Sequence, residues 1–408
     1  MKKLLFLLFL SLLLVSCARK RAGEEAIVIW EQMDPAERTI LDEVLREYEA
    51  KNPTIKLSHL NYNTEEVRNQ FQTHALAGGG PQLVYGPSDQ VGPFSALGII
   101  KPLEEIFGSE FFSKFVPASL DTLNGHIYAV PDQVGNHLFL IYNKKLVKKP
   151  PHTSDELISI AKKLTIDRNS DGTPDQYGLA FDSTEPFWLV PFLGGFGGWI
   201  MDRQENPTLD TPAMVNALAF MKDLRMKYKV LPRECNYQLM DTLFKEGKAA
   251  MIINGPWSLG GYMSAGMEIG VAKIPKISET GLWPAPMISA RGYSINENVK
   301  GNTLKQVKKL VEYLTSPEVE LRFAKGLSIL PSRKEAYDDP FVKESELLRN
   351  SGEQVQVGHR MPVIPEMRAI WDSMGPFTQK TMSGAVTPEQ AAKKMQALAI
   401  QKIKEMKD

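Results

Sequence analysis

The sequence predicts an α/β protein, and three observations carry that prediction. Short apolar runs such as 26–30 and 249–253 have the length and composition of buried strands. They alternate with amphipathic stretches at helical spacing, which right-handed crossovers turn into a mostly parallel sheet with helices on its faces. The 408-residue chain is long enough for two or three domains even without its first 16 residues.

The opening residues are not part of that fold. Lys2 and Lys3 form a positive n-region, residues 4–15 are apolar except for Ser11, and Leu14-Val15-Ser16-Cys17 ends the run with small residues before a cysteine. The run is shorter than the roughly 20 residues that a bilayer span needs. It resembles a bacterial lipobox, which implies cleavage before Cys17, a lipid at Cys17, a tether over 17–25 and an extracytoplasmic protein anchored to a bacterial membrane. An ordinary signal peptide followed by chance by a cysteine is the alternative. The charge is balanced, with 48 basic and 48 acidic residues, so nothing suggests a nucleic-acid partner. Once Cys17 is lipidated, Cys235 is the one thiol left, and no intramolecular disulfide can form.

Each element has its own signal. A strand over 26–30 leads to a helix over 37–51 with Ile40, Leu41, Val44, Leu45 and Tyr48 on one side, stopped by Asn52-Pro53. A strand over 55–60 follows, then a helix to Ala77 announced by Asn63 and Glu66. The third strand, 82–85, ends in the loop Gly86-Pro87-Ser88-Asp89-Gln90. Strands over 127–131 and 138–142 flank a polar break at 132–137. Thr153 and Glu156 form a capping box for a helix to Leu164.

The stretch LFKEGKAAMIINGPWSL, 243–259, ends one helix at Gly247, makes a buried strand and delivers Trp257 at its carboxyl end. In open α/β sheets that edge binds ligands, and an indole there can stack on a sugar ring. Packing of Trp257 in a core is the competing account. Further helices are expected over 212–228, 304–314, from Ser316-Pro317, and from Thr387-Pro388 to near Lys407, with a strand over 269–274.

Asp167, Asn169, Asp171, Thr173 and Asp175 place oxygens as in the first part of an EF-hand loop, with glycine at position 6. Gly178 stands where the bidentate glutamate belongs. A structural calcium ion and a loop held by its own Asx turns are both open readings. Gly194 to Trp199 lacks the Lys-Ser/Thr ending of a phosphate loop and reads as a packed turn.

Several of these stretches resemble, in the same order, the maltose-binding protein family, the solute-binding proteins of ABC sugar importers. They are AAMIINGPW, GPQLVYGPSDQ, LFLIYNKKLV, EPFW at 185–188 and MPVIPEMRAIWDSM at 361–374. The resemblance implies a two-lobe, type II periplasmic-binding-protein-like fold with mostly parallel sheets flanked by helices. The first lobe would be 26–134 plus 275–332 and the second 135–274 plus 333–408, with a hinge near Asn136, Gly270 and Ser332. It implies Trp257 and Trp371 as stacking residues, Asp89 with Gln90 and Glu185 as hydroxyl binders, and Phe187 and Trp188 as further aromatics. Asn136 stands where the maltose binder has a carboxylate, Gly86 replaces an aromatic and Phe187 lacks a tyrosine hydroxyl. Arg291 lies in an expected ligand-side loop, and Glu31, Gln32 and Asp34 complete the candidate set.

The expected function is capture of a neutral sugar or oligosaccharide by a monomer that delivers it to an ABC permease. Ligand bound to both lobes would shift the hinge equilibrium toward closure. A ligand such as a phosphodiester would need cations facing the cleft, whereas the candidate set has four carboxylates and one arginine. A glycoside hydrolase acting through Asp89 and Glu185 is the enzyme alternative. No nucleophile elbow, zincin motif or complete phosphate loop supports catalysis.

Overall fold

Two β-sheets, each covered by helices, make two lobes in the computed structural model, which describes residues 25–407. The leader, Cys17 and the tether before residue 25 lie outside the described residues.

The first lobe begins with β1 (Glu25–Glu31), the helix Pro35–Lys51 and β2 (Ile55–Asn61). That helix starts on a proline, which has no N–H to leave unsatisfied, and Glu37 Oε2 accepts from the Asp34 N–H at 2.9 Å. Its buried stripe of Leu41, Val44, Leu45 and Tyr48 meets Ile27 and Ile29 of the sheet. The helix Thr64–Leu76 is capped by Asn63, whose side chain accepts from the Glu66 N–H at 2.9 Å, and leads to β3 (Leu83–Pro87). β4 (Val130–Val134) ends the first run through this lobe.

The chain then crosses. β5 (Phe139–Asn143), β6 (Tyr177–Ala180), β7 (Ala249–Asn254) and β8 (Ile269–Ala272) form the second sheet in the order β6-β7-β5-β8. After the short β9 (Met287–Ile288), β10 (Ala290–Ile295) returns to complete the first sheet, β2-β1-β3-β10-β4, and β11 (His359–Arg360) pairs with β9.

Pairing is parallel where sequence-local crossovers make it, in β2-β1-β3 and β6-β7. It is antiparallel wherever β5 or β10 meets a neighbour, because these strands enter directly from the other lobe instead of through a covering helix. Each sheet therefore has one reversed strand, β10 in the first and β5 in the second, and its other strands all run in one direction, as the expected mostly parallel sheets require.

Three placements differ from expectation. The segment 269–274 is not the return into the first lobe: β8 pairs with β5, and Gly270 lies opposite Tyr142 inside the second sheet, away from any crossing. Arg291 is not in a loop but within β10, between β3 and β4. Ile274, Ile277 and Met287 belong to the second core, so the chain regains the first sheet at Ala290 and not at 275. Asn136 and Ser332 do lie at crossings. The backbone N–H groups of Gly135 and Asn136 donate to Ser289 O at 3.0 and 2.8 Å, Val134 N donates to Leu330 O, and Ser332 Oγ lies 3.0 Å from Pro131 O. The helices Gly301–Leu314 and Pro317–Leu327 pack into the first core, and Met367–Ser383 and Pro388–Lys407 into the second.

Candidate functional site

The neighbouring carboxyl ends of β1 and β3 in the first lobe meet the second-lobe residues beyond β7 across a cleft, and most of the expected site residues lie there. β7 runs into Asn254-Gly255-Pro256, where Asn254 Nδ2 donates to the Tyr262 hydroxyl and its Oδ1 accepts the Gly255 N–H. The Trp257 indole folds back over Gly255 so closely that a Cβ there would stand 2.0 Å from the ring. Only glycine permits that pose. Trp257 is half-buried, and its Nε1 donates to the Tyr237 hydroxyl at 3.0 Å. Tyr237 in turn donates to Asp34 Oδ2 at 2.9 Å in the first lobe. Burial, with Glu37 adding, pushes the Asp34 carboxyl up to about 6.

In the same lobe, the Phe187 ring meets Trp188 at 5.8 Å and Trp371 at 6.4 Å, both edge to face. Trp371, half-buried, donates from Nε1 to Asp89 Oδ2 at 2.9 Å, and the same oxygen accepts from Arg68 Nη2 at 2.6 Å. Asp89 and Gln90 are buried just beyond β3. Gln90 fills the space over Gly86, whose Cβ would come within 2.6 Å of Oε1. Glu185 is exposed at the cleft edge, and desolvation by the cleft walls, with Asp182 and Glu65, raises its carboxyl above the usual range.

Four buried polar atoms in this region, Gln32 Oε1, Arg68 Nε, Asp89 Oδ1 and Gln90 Oε1, have no partner among the described residues. Buried polar groups are otherwise almost always satisfied. A small cavity lined by Arg68, Gln72, Asp89, Gln90, Arg368 and Trp371 adjoins three of them. Flat aromatic faces beside unpaired acceptors suit a compound with apolar ring faces and hydroxyl edges.

Other expected residues have structural duties instead. Glu31 is fully buried and accepts from Met33 N, Asn61 Nδ2 and His59 at 2.6 to 2.9 Å. Trp188 is buried in the second core, its Nε1 donating to Ile253 O at 2.7 Å. Arg291 is buried against Glu37 at 2.8 Å and lies over the Tyr85 ring. Asn136 reaches Ser289 Oγ at 3.3 Å and joins two crossings. In each case the pairing is long-range, which a local motif does not display.

The loop of Asp167, Asn169, Asp171, Thr173 and Asp175 turns its oxygens onto its own backbone. Asp167 Oδ2 accepts Gly172 N, Asp171 Oδ1 accepts Thr173 N, and Asp175 Oδ2 accepts Arg168 N. The Asp171–Thr173 bond and the matching Asn169 Oδ1–Asp171 N bond are Asx turns, and the other two close the loop over five and seven residues. Asp167 Oδ1 is buried without a partner, and no group of three or more His, Cys, Asp or Glu side chains among the described residues is disposed around an ion.

Sequence reasoning missed Arg68 and Tyr237. Arg68 offers one signal, a cation next to Val67 and three residues before Phe71 on the buried face of its helix. Tyr237 follows the N-cap Asn236 and gives none.

A family model described as bacterial extracellular solute-binding protein matches residues 43–350. Among curated relatives, the maltotriose-binding protein of Pyrococcus abyssi is 30% identical over 356 residues, 86% of this chain and 76% of that protein. The maltooligosaccharide ABC transporter solute-binding lipoprotein of Streptococcus pneumoniae is 25% identical over 97% of this chain and 95% of its own length. Among solved structures, the maltose/maltodextrin-binding domain from Bdellovibrio bacteriovorus bound to maltotriose is 44% identical. Its TM-score is 0.91, and the match covers 93% of this chain and all of that one.

Proposed function

Because the chain belongs to the bacterial extracellular solute-binding proteins, we propose that it captures a neutral maltooligosaccharide-type sugar in the cleft and delivers it to an ABC permease. The observation that carries the reading is half-buried Trp371 bonded to Asp89, beside the unpartnered oxygens of Asp89 and Gln90, with half-buried Trp257 tied across to Asp34 through Tyr237. Ring faces stack on the two indoles, while hydroxyls donate to those acceptors. The protein releases the sugar unchanged, acting as a carrier and not as a hydrolase, and a lipid on Cys17 holds it at the outer side of a bacterial membrane.

A phosphodiester finds little to hold it. Arg291 is committed to Glu37, and Arg68 to Glu65 and Asp89. Neither guanidinium carries unbalanced charge into the cleft.

Calorimetric titration of the mature chain, prepared without lipid, against mono- and oligosaccharides including maltotriose tests this. The expected result is a micromolar dissociation constant, about −8 kcal/mol, with the sugar recovered intact. Trp257→Ala and Trp371→Ala should each weaken binding by about 2 kcal/mol, roughly thirtyfold. A folded protein that binds no sugar, or binds it indifferently to both substitutions, overturns the reading.

A further inference from the structure

Two bonds cross the cleft from a single turn of the helix Met367–Ser383, and both land on first-lobe carboxylates joined by one arginine. The Arg68 guanidinium is 10% exposed and bridges Glu65 at 3.0 Å and Asp89 at 2.6 Å. From the second lobe, Arg368 pairs with the other Glu65 oxygen, while its Nε is held by Asp372 at 3.0 Å and Lys402 holds Asp372 in turn at 3.1 Å. Three residues along, Trp371 Nε1 donates to Asp89 Oδ2. Both bonds join one lobe to the other, so both require the lobes to be together.

Asp89 Oδ2 is consumed by Arg68 and Trp371, whereas Oδ1 is buried without a partner among the described residues. Arg68 likewise spends Nη1 and Nη2 on carboxylates and keeps Nε free. The ligand therefore meets one acceptor and one donor side by side, from a charge-compensated pair.

We propose that Arg68 and Arg368 are positioning residues of the binding site: Arg68 commits Asp89 Oδ2 to the cleft-crossing bond so that Oδ1 alone serves the ligand, and Arg368 clamps the closed lobes through Glu65. The proposal rests on the sugar-binding reading. It has a consequence that contacts to sugar alone do not produce. Glu65 and Arg368 are 48% and 35% exposed, so their attraction is screened by salt. Closure, and with it affinity for an uncharged ligand, becomes dependent on ionic strength.

The test is titration of maltotriose into the mature chain between about 20 and about 500 mM NaCl, a range over which the Debye length falls from roughly 20 to roughly 4 Å. Wild-type affinity is expected to weaken about two- to fivefold across the series. Arg368→Gln should bind more weakly at low salt with a flat response, and Arg368→Lys should restore the slope. Asp89→Asn should cost less in an Arg68→Gln background than in wild type, since the two act as a unit. A flat wild-type response, or an unchanged slope in Arg368→Gln, overturns the clamp, and additive effects at positions 68 and 89 overturn the role of Arg68. If maltotriose does not bind at any salt, the sugar reading fails, and small-angle scattering of the same proteins decides the clamp independently. Lobes that spread with salt in wild type but not in Arg368→Gln support it, and identical salt responses refute it.

Discussion

Arg291 and Glu37 form a 2.8 Å pair with side chains 4% and 1% exposed. Near them lies Asp132, which accepts from the Tyr85 hydroxyl at 3.1 Å and is pushed by burial up to about 7, with Arg291 opposing the rise. A charge in such a place is stable only while its partner remains. Arg291→Met should lower unfolding free energy by about 3–5 kcal/mol in urea titrations, because it leaves Glu37 buried without its cation. Adding Glu37→Leu should recover most of that loss, since a matched apolar pair removes the uncompensated charge along with the bridge. Equal instability of the single and double variants would contradict the account.

At the scale of elements, His59 fastens β2 to its surroundings. Its Nδ1 lies 2.9 Å from Glu31 at the end of β1, and its Nε2 lies 3.0 Å from Asp42 on the helix Pro35–Lys51. The bond to Glu31, more than that to Asp42, raises the imidazole above its usual value against the opposing effect of burial. The folded pKa thus exceeds the unfolded one. The stabilisation is fully present below the unfolded value of about 6.5 and disappears as pH rises through the folded value. His59→Gln should therefore destabilise the protein more at about pH 5.5 than at about pH 9, as read by denaturant midpoints at the two pH values. A pH-independent difference would remove the titration from the explanation. β2 is the outer strand of its sheet, and these bonds hold it where one neighbouring strand is missing.

For the whole molecule, the chain Trp257–Tyr237–Asp34 links the second lobe to the first. Asp34 stands at about 6 chiefly because burial disfavours its charge. Where opening returns it to water, it regains an ordinary carboxyl value near 3.9. The closed form then holds the proton more tightly, so closure is assisted as pH falls from above 6 toward 4 and penalised above 6. Sugar affinity should accordingly rise between pH 7.5 and about pH 5, and Asp34→Asn should flatten the profile. An affinity that falls on acidification in wild type, or a slope that survives in Asp34→Asn, would assign the titration to another group.

Sequence by itself determined those strands and helices that carry apolar periodicity or capping residues, because these signals act within a few positions. The stripe Leu41–Tyr48, the Asn63 cap and the strand before Trp257 were all legible in this way. The cleft residues Trp257, Trp371, Asp89 and Gln90 were legible through family-like stretches at strand ends and in the helix Met367–Ser383. What only the tertiary structure decided was which polar residues are spent internally. Glu31, Arg291 and Asn136 are matched by His59, Glu37 and Ser289, 28, 254 and 153 positions away. Arg68 and Tyr237 gain their roles only when a second lobe supplies Trp371 and Arg368, or a first lobe supplies Asp34. A backbone conformation is chosen by neighbours in the chain, whereas the partner of a buried charge is chosen by neighbours in space.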